Sequence, residues 1–301
     1  MVVTGGAGFL GRPTVGLLES LGAEVRAVRS AEYDLRDPSA CRDAIDGADV
    51  VIHLAARVGG VGFNRRNPAP LAYDNLIMGS NVFEASRAAG VGKLVAACTV
   101  CAYPRATAVP FREDEIWAGY PEPSNAPYGL AKKMLLVLSD AYRRQYGFSS
   151  CAPVLINLYG PGDDFDPEDS HVVAALVRRF VEAERERAPE VVLWGSGEPT
   201  REFLYVDDAA RAMVLAAERY DSSEPVNIGT GEEVRIRDLA ALISRLTGYE
   251  GETVWDVERP DGQPRRSLDV SRARELIGFE PEVELEAGLQ RTIDSFRDTY
   301  R

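Results

Sequence analysis

Tyr128 and Lys132 are four residues apart and could carry acid–base chemistry. They form a Y-x-x-x-K pattern, and on a helix this spacing puts both side chains on one face. A phenol with a pKa of about 10 is a poor proton donor and acceptor at neutral pH, and a nearby ammonium group favours its ionised form. The pattern arises often by chance, so its meaning depends on the elements around it.

A glycine-rich turn near the start of the chain gives the pair its context. The run T-G-G-A-G-F-L-G over Thr4–Gly11 contains Gly5, Gly8 and Gly11 at regular spacing and stands between an apolar strand and a helical pattern. Such glycines permit a tight turn and a close approach to a pyrophosphate at a helix N-terminus. The turn therefore predicts a dinucleotide site, with a plain glycine-rich loop as the alternative.

The end of the second strand predicts which dinucleotide is bound. A carboxylate there would bond the 2′-hydroxyl of NAD, but the strand ends in Val28-Arg29-Ser30. Arg29 can pair with a 2′-phosphate, and Arg12, just after the turn, can assist it. We therefore expect NADP(H), with Asp34 facing the adenine. The alternative is that Arg29 is an ordinary surface arginine.

Apolar runs alternate with helical patterns through the first half of the chain, up to a single predicted strand at Cys151–Ile156. This alternation indicates an α/β fold with a doubly wound parallel (Rossmann) sheet. Later elements are shorter and predict a smaller C-terminal substrate-binding lobe, with a helix near Ser170–Glu186 that Ser170 could cap. We expect an NADP-binding domain over 1–156 that also takes in about 188–224, and a discontinuous lobe within 157–301.

The composition limits the classes of partner that the chain can bind. The net charge is −13, and such a surface repels nucleic acid and anionic lipid. No apolar run approaches the roughly 20 residues that span a bilayer, and no signal peptide opens the chain, so we expect a cytoplasmic protein. The four cysteines include a lone C-x-x-C at Cys98 and Cys101 without a second pair, and no metal site is predicted.

Further motifs resemble the extended short-chain dehydrogenase/reductases and, within them, the GDP-L-fucose synthases, in order over nearly the whole chain. The general family is indicated by the glycine turn, by Y-x-x-x-K, by H-L-A-A at 53–56 and by a strand ending at Thr99. The more specific motifs are A-R-V-G-G (56–60), C-A-Y-P (101–104), N-L-Y-G-P (157–161), S-H-V (170–172), R-R-F (178–180), W-G-S-G (194–197), R-E-F (201–203) and P-D-G (260–262).

The resemblance implies roles for particular residues. Tyr128 would protonate the 4-oxygen of a nucleotide-linked 4-keto-6-deoxy sugar, Lys132 would tune Tyr128 and bind ribose, and Thr99 would polarise the keto group. Cys101 and His171 match the pair that moves protons at carbons 3 and 5, where acidic protons beside a ketone need a base and an acid. The alternatives are a buried small side chain at Cys101 and a solvated helix start at His171.

Two sets of binding residues complete the prediction. For the cofactor we expect contacts from Gly5, Gly8, Phe9, Leu10, Gly11, Arg12, Arg29, Asp34, Leu35, Leu54, Ala55, Ala56, Tyr128 and Lys132. For the substrate, the resemblance implies Asn157, Arg179, Trp194, Arg201 and Arg265, the arginines gripping the GDP diphosphate. Val100, Leu155 and Ile156 depart from the pattern of that group.

Three functions remain open. The first is a 3,5-epimerase and 4-reductase acting with NADPH on a GDP-4-keto-6-deoxyhexose. The second is a related nucleotide-sugar 4-epimerase or a plain 4-reductase, and the third is a catalytically silent NADP-binding protein. The resemblance also implies a homodimer, formed by two helices per subunit in a four-helix bundle.

Overall fold

The structure is a computed structural model that describes residues 1–259 and 261–300, so Pro260 of the P-D-G motif lies outside the described residues. The strands are β1 (Val2–Thr4), β2 (Arg26–Val28), β3 (Val50–His53), β4 (Lys93–Ala96), β5 (Cys98–Thr99), β6 (Ser150–Cys151), β7 (Val154–Leu155), β8 (Asn157–Tyr159), β9 (Glu190–Trp194), β10 (Thr200–Arg201), β11 (Phe203–Tyr205), β12 (Asn227–Ile228), β13 (Val234–Arg235) and β14 (Glu252–Asp256). The helices are α1 (Gly11–Ser20), α2 (Pro38–Ile45), α3 (Val61–Arg66), α4 (Pro68–Ala88), α5 (Ala126–Tyr146), α6 (Val172–Glu186), α7 (Val206–Arg219), α8 (Ile236–Thr247), α9 (Ser271–Ile277) and α10 (Leu285–Thr299).

A parallel sheet forms the centre of the first half. Its strand order is β2-β1-β3-β4-β6, and a three-stranded parallel sheet, β12-β7-β5, is formed by β5 and β7, which closely follow β4 and β6 in the chain, together with β12. The strands β1 and β4 are buried along their whole length, as expected of a parallel sheet covered on both faces. Helices α1 and α7 pack together against this sheet, whereas α2, α4 and α5 form a second layer of contacts. The predicted doubly wound α/β fold is confirmed.

The later part of the chain forms a second hydrophobic core. This core joins α6, α8 and α10 to the parallel pair β9–β14 and includes Val191 and Leu193 of β9. Helix α7 and strand β12 pack instead into the first core. We therefore propose that the dinucleotide domain takes in α7 and β12, and that β9, inside the predicted 188–224 segment, belongs with the lobe.

Two local predictions are wrong. The strand predicted at Cys151–Ile156 is broken into β6 and β7 by Ala152 and Pro153, because proline has no N–H to donate to a sheet. Helix α6 begins at Val172, and the predicted cap by Ser170 is not formed: His171 occupies the N-cap position without a side-chain bond. No helix in the described part of the chain is long and apolar enough to cross a membrane.

Candidate active site

One large cavity opens at the carboxyl edge of the central sheet. Its volume is about 1390 Å³, and its wall takes in residues that follow β1, β2, β3, β5 and β7. The later part of the chain closes the other side with Trp194 at the end of β9, Arg201 of β10 and the segment 261–264. Ligands of open parallel sheets bind at this edge, so the cavity is the candidate active site.

The glycine turn builds one end of the cavity by backbone packing that a side chain would block. Gly5 has a φ of +70°, and a Cβ there would stand 2.9 Å from the backbone nitrogen of Ala55. The amide of Gly8 donates to the carbonyl of Gly5 at 2.9 Å, and a Cβ at Gly11 would overlap that same carbonyl. Helix α1 starts at Gly11, which lines the cavity, so the positive end of the helix dipole lies at the cavity wall. This cradle fits a dinucleotide pyrophosphate.

His53 has a structural role beside this cradle. It is buried at the end of β3, and its Nδ1 lies 2.7 Å from Oγ1 of Thr4 at the end of β1. The same hydroxyl accepts a hydrogen bond from the amide of Ala55 at 3.3 Å. Burial lowers the pKa of His53 to about 3, with a smaller contribution from Lys132, so the ring is neutral. The histidine thus holds the segment Leu54–Ala56 beside the glycine turn.

Arginines surround the part of the cavity that lies beside β2. Arg29 lines it, and no ion pair of Arg29 occurs within residues 1–259 and 261–300. Asp34 also lines it, but its carboxylate is 2.7 Å from Arg36, which lowers its pKa to about 2. Arg36 also pairs with the buried Asp74 at 3.4 Å. Asp34 is therefore ionised, and its charge is balanced by the Arg36 guanidinium. This part of the cavity is better suited to bind a 2′-phosphate than a free ribose 2′-hydroxyl.

Tyr128 and Lys132 both face the cavity from α5. Lys132 is almost fully buried, and burial lowers its pKa to about 8. Burial also raises the pKa of Tyr128, while a hydrogen bond with Thr99 opposes that change. The Tyr128 phenol is therefore bonded to the Thr99 hydroxyl, and Lys132 lines the same cavity one helical turn further along α5, an arrangement suited to acid–base chemistry at a carbonyl.

Cys101 and His171 line the same cavity from different elements. The amide of Cys101 donates to Oγ1 of Thr99 at 3.3 Å, and a Cβ at Gly129 would overlap the carbonyl of Cys101. Gly129 therefore lets α5 pass directly against the Cys101 turn. His171 is exposed at the cavity wall at the start of α6; desolvation lowers its pKa, and Asp164 opposes this.

Two arginines face the cavity beside the lobe. Burial lowers the pKa of Arg201 to about 10, and the neighbouring Arg266 adds to this effect. Neither guanidinium has a carboxylate ion pair within residues 1–259 and 261–300; Arg266 donates to Oε1 of Gln263 at 3.1 Å. Two adjacent cations without such a pair are suited to bind a doubly charged anion.

Three of the predicted arginines are not brought to the cavity wall. Arg265 points away and pairs with Glu233, and its neighbour Arg266 lines the wall instead. The guanidinium of Arg179 donates to the carbonyl of Val192 at 2.9 Å, and Nε of Arg12 donates to the carbonyl of Ala7 at 2.9 Å. Each of these side chains is held by a contact that its position in the sequence does not reveal.

The other predicted residues share the one cavity. They are Gly5, Gly8, Phe9, Leu10, Gly11, Arg29, Asp34, Leu35, Leu54, Ala55, Ala56, Thr99, Cys101, Tyr128, Lys132, Asn157, His171, Trp194 and Arg201. Val100, Leu155 and Ile156, which depart from the family pattern, line it as well.

Sequence reasoning missed several lining residues. Arg36, Arg57 and Arg266 line the cavity, as do the amides Asn64 and Asn125, which join α3 to the start of α5 through a 2.8 Å hydrogen bond. A cation two residues after Asp34 was an available signal for Arg36. No comparable signal exists for Asn64, because its partner is 61 residues away.

Comparisons with known proteins agree with this geometry. The NAD dependent epimerase/dehydratase family matches residues 1–229. GDP-L-fucose synthase of Escherichia coli (strain K12) is 41% identical over 99% of this chain and 98% of its own length. A GDP-L-fucose synthetase from Naegleria fowleri bound to NADP superposes with a TM-score of 0.88 at 29% identity, covering 99% of this chain and 94% of that one.

A third comparison is with an enzyme named for a UDP-linked sugar. The UDP-glucose 4-epimerase of Thermotoga maritima with UDP-glucose superposes with a TM-score of 0.89 at 34% identity, over 100% of this chain and 99% of that chain. The family match covers the glycine turn, Cys101 and the Tyr128–Lys132 pair. This chain belongs to the NAD dependent epimerase/dehydratase family, as a relative of the GDP-L-fucose synthases.

Proposed function

We propose that the chain is an NADPH-dependent enzyme that inverts carbons 3 and 5 of a GDP-4-keto-6-deoxyhexose and reduces its 4-keto group. The proposed product is a GDP-6-deoxyhexose such as GDP-L-fucose, by analogy with the E. coli relative. The observation that carries the proposal is the convergence of Thr99, Cys101, Tyr128, Lys132 and His171 on the cavity that the glycine turn opens.

The proposed reaction has two stages, inversion and then reduction, and they use different residues. In the first, the Cys101 thiolate removes a proton from a carbon beside the ketone and His171 returns one to the opposite face, which inverts the centre. In the second, the Tyr128 hydroxyl donates its proton to the 4-oxygen as that carbon is reduced. Thr99 hydrogen-bonds the keto oxygen in both stages, so negative charge on this oxygen is stabilised.

Cofactor choice follows from the arginines at β2. Bound NADPH would supply the hydride for reduction of carbon 4. Arg29 would bind its 2′-phosphate, while Asp34 is neutralised by Arg36 and offers no free carboxylate to a ribose 2′-hydroxyl. Lys132 would bind the nicotinamide ribose.

The diphosphate of the substrate would lie between Arg201 and Arg266. These guanidinium groups face the cavity without a carboxylate ion pair in the described part of the chain, and Arg266 contributes to the lowered pKa of Arg201. Trp194, which is exposed at the cavity wall, would flank the nucleotide base. Asn157 lines the space between the two regions and is held by a 2.9 Å bond from its Nδ2 to the carbonyl of Glu202.

A substrate panel tests the proposal. The chain is incubated with NADPH and GDP-, UDP- or dTDP-linked 4-keto-6-deoxy sugars in deuterated water, and products are identified by NMR. We expect one NADPH consumed per sugar, with deuterium at carbons 3 and 5 of a GDP-linked product. Reduction without deuterium at these carbons would mean a plain 4-reductase, and the absence of turnover with every sugar would refute an enzymatic role on this panel.

The T. maritima neighbour supports a second candidate, a nucleotide-sugar 4-epimerase. Such an enzyme oxidises and then reduces carbon 4, so it returns its nicotinamide unchanged. It needs Tyr128 and Lys132 but gives no role to the Cys101–His171 pair. Net NADPH consumption separates the two candidates: conversion of UDP-glucose without any consumption would favour the epimerase.

We also propose a homodimer built on α4 and α5. The two helices pack along each other and expose apolar side chains at Tyr73, Leu76, Met134 and Val137. Pairing these faces across a two-fold axis would cover them in a four-helix arrangement. Sedimentation should give a dimer mass at micromolar concentration.

The dimer can be tested by introducing charged side chains on this face of α4 and α5. The double variant Tyr73→Lys and Met134→Lys should sediment as a monomer. The control Leu21→Lys changes an exposed apolar residue at the end of α1, away from this face, and should remain dimeric. A monomeric wild-type chain at micromolar concentration would refute the proposal.

Finally, we propose that the protein works in the cytoplasm. All four cysteines are free thiols, and Cys41, Cys98 and Cys151 are buried. Reduced thiols and NADPH are both typical of that compartment. Fractionation of the source cells with an antibody to the chain tests this.

A further inference from the structure

A buried carboxylate lies behind the cavity wall and is not part of the chemistry described above. Glu202 has no exposed surface and accepts four hydrogen bonds. Its Oε1 accepts from the amides of Thr230 at 2.6 Å and Gly231 at 2.9 Å. Its Oε2 accepts from the hydroxyl of Ser267 at 2.9 Å and the amide of Leu268 at 2.8 Å. Both oxygens are therefore saturated by donors.

These donors belong to segments that carry the anion-binding side chains. Ser267 directly follows Arg266, and Glu202 itself directly follows Arg201. The carbonyl of Glu202 also accepts the hydrogen bond from Asn157, so a third lining residue depends on the same position. One buried side chain thus connects the loop at 265–268, the strand end at 201 and the turn at 230–231.

The surrounding backbone is shaped to admit this carboxylate. A Cβ at Gly229 would overlap Oε1 of Glu202, so a side chain at that position would displace either the carboxylate or the turn. The burial of Glu202 raises its pKa, while the backbone amides of Gly231, Leu268 and Thr230 and the Ser267 hydroxyl favour the charged form. An arrangement of four donors around two oxygens is the one that an ionised carboxylate satisfies.

We propose that Glu202 is the positioning residue of the substrate's diphosphate site: it fixes Arg201 and Arg266 side by side at the cavity wall. This inference rests on the proposed function, in which those two arginines bind the diphosphate. Two guanidinium groups repel each other and would separate if their backbones were free to move. The carboxylate prevents this by holding the backbone on both sides of the pair.

Replacement of one oxygen by an amide nitrogen should undo the arrangement. In Glu202→Gln, the NH₂ group would point its hydrogens at two donors that previously shared an oxygen, so either the 230–231 or the 267–268 contact is lost. We expect the dissociation constant of GDP to rise at least about tenfold, as for the loss of one charge-assisted contact. NADPH should bind within about twofold of the wild type, since the glycine turn is not involved.

A matched control separates positioning from general destabilisation. Asp208 is also a buried carboxylate, with 2% exposure, and it accepts from the amides of Glu282 at 3.1 Å and Val283 at 3.0 Å. Neither of these partners lines the cavity. Asp208→Asn should lower the melting temperature as Glu202→Gln does, yet leave the GDP dissociation constant unchanged.

Titration calorimetry with GDP and with NADPH gives the decisive readout, together with KM and kcat for the turned-over sugar. KM should rise in Glu202→Gln by a larger factor than kcat falls, because Arg266 also lies 3.9 Å from Sγ of Cys101. Should that variant fail to fold, Ser267→Ala removes one of the four bonds and should weaken GDP binding about threefold. GDP bound as tightly as by the wild type, or equal losses for GDP and NADPH, would overturn the role of Glu202. A wild-type chain that binds NADPH but no GDP would instead overturn the proposed function.

Discussion

Arg266 and Arg265 provide a direct test of the substrate site, because the two neighbours have the same chemistry and opposite orientations. Arg266 faces the cavity beside Arg201, whereas Arg265 pairs with Glu233 outside the cavity wall. The perturbation is Arg266→Gln, which removes one charge and keeps a polar side chain of similar reach. Arg265→Gln is the matched control.

The magnitude follows from the contact that is lost. A hydrogen bond to a charged group contributes about 1.5–3 kcal/mol, which corresponds to a rise of about 10- to 150-fold in the dissociation constant. The neighbouring Arg266 helps to lower the pKa of Arg201, so its removal relieves a repulsion and returns part of the loss. We therefore expect the lower end of this range, about tenfold, in both KM and the dissociation constant of GDP.

The assay compares the two variants with the wild type by initial rates and by calorimetry. Arg266→Gln should raise KM for the GDP-linked sugar, since the diphosphate is held equally in the ground and transition states. Because Nη1 of Arg266 also lies 3.9 Å from Sγ of Cys101, the proposed base, we expect kcat to fall as well. Arg265→Gln should change neither by more than about twofold. A larger effect at Arg265, or a fall in kcat with unchanged KM, would refute the assignment of the diphosphate to Arg201 and Arg266.

Three other predictions concern protons. Cys101→Ser should abolish deuterium uptake beside the ketone while NADPH still binds; uptake at the wild-type rate would exclude Cys101 as the base. Because burial lowers the pKa of Lys132 to about 8, kcat/KM should fall as the pH rises through about 8, and Lys132→Arg should remove that limb of the profile at a reduced rate. Burial lowers the pKa of His53 to about 3, so the stability that the neutral ring contributes is complete above about pH 6.5 and is lost as the pH falls. Urea unfolding should show the free energy of unfolding falling by about 2 kcal/mol between pH 6.5 and 5. In His53→Gln the free energy of unfolding should fall by less over the same range.

The dinucleotide half of the site could be predicted from the sequence because its signals are local. The glycine turn, the strand before it and the helix after it lie within 20 residues, and Tyr128 and Lys132 are related by a single turn of α5. Parallel strands then bring their carboxyl ends to one edge of the sheet. Local pattern and topology together determine where these side chains lie, so the fold class and the position of Tyr128 and Lys132 at the cavity wall followed from the sequence.

The strand β14 shows where such reasoning fails. Its residues Thr253, Val254 and Trp255 favour strands, but a run of three such residues between charged ones is too short to identify a strand. The strand forms because it pairs along its length with β9, some 60 residues earlier. Strand preference depends on packing against neighbours, so a five-residue segment outside the main sheet cannot be recognised from its own residues. The lobe as a whole consists of such pieces, and their positions follow from long-range contacts.

The arginines of the lobe lead to the same conclusion for function. Arg265 and Arg266 are equal in type and adjacent in sequence; the family pattern favoured Arg265, whereas Arg266 is the one that lines the cavity. What decides between them is the contact of Glu233 with Arg265 and the hold of Glu202 on Ser267 and Leu268, which turns Arg266 inward. Both carboxylates come from other parts of the chain. Diphosphate binding in this chain therefore depends on buried contacts that hold irregular loops, and a change at Glu202 should weaken the binding of the diphosphate although Glu202 does not contact it.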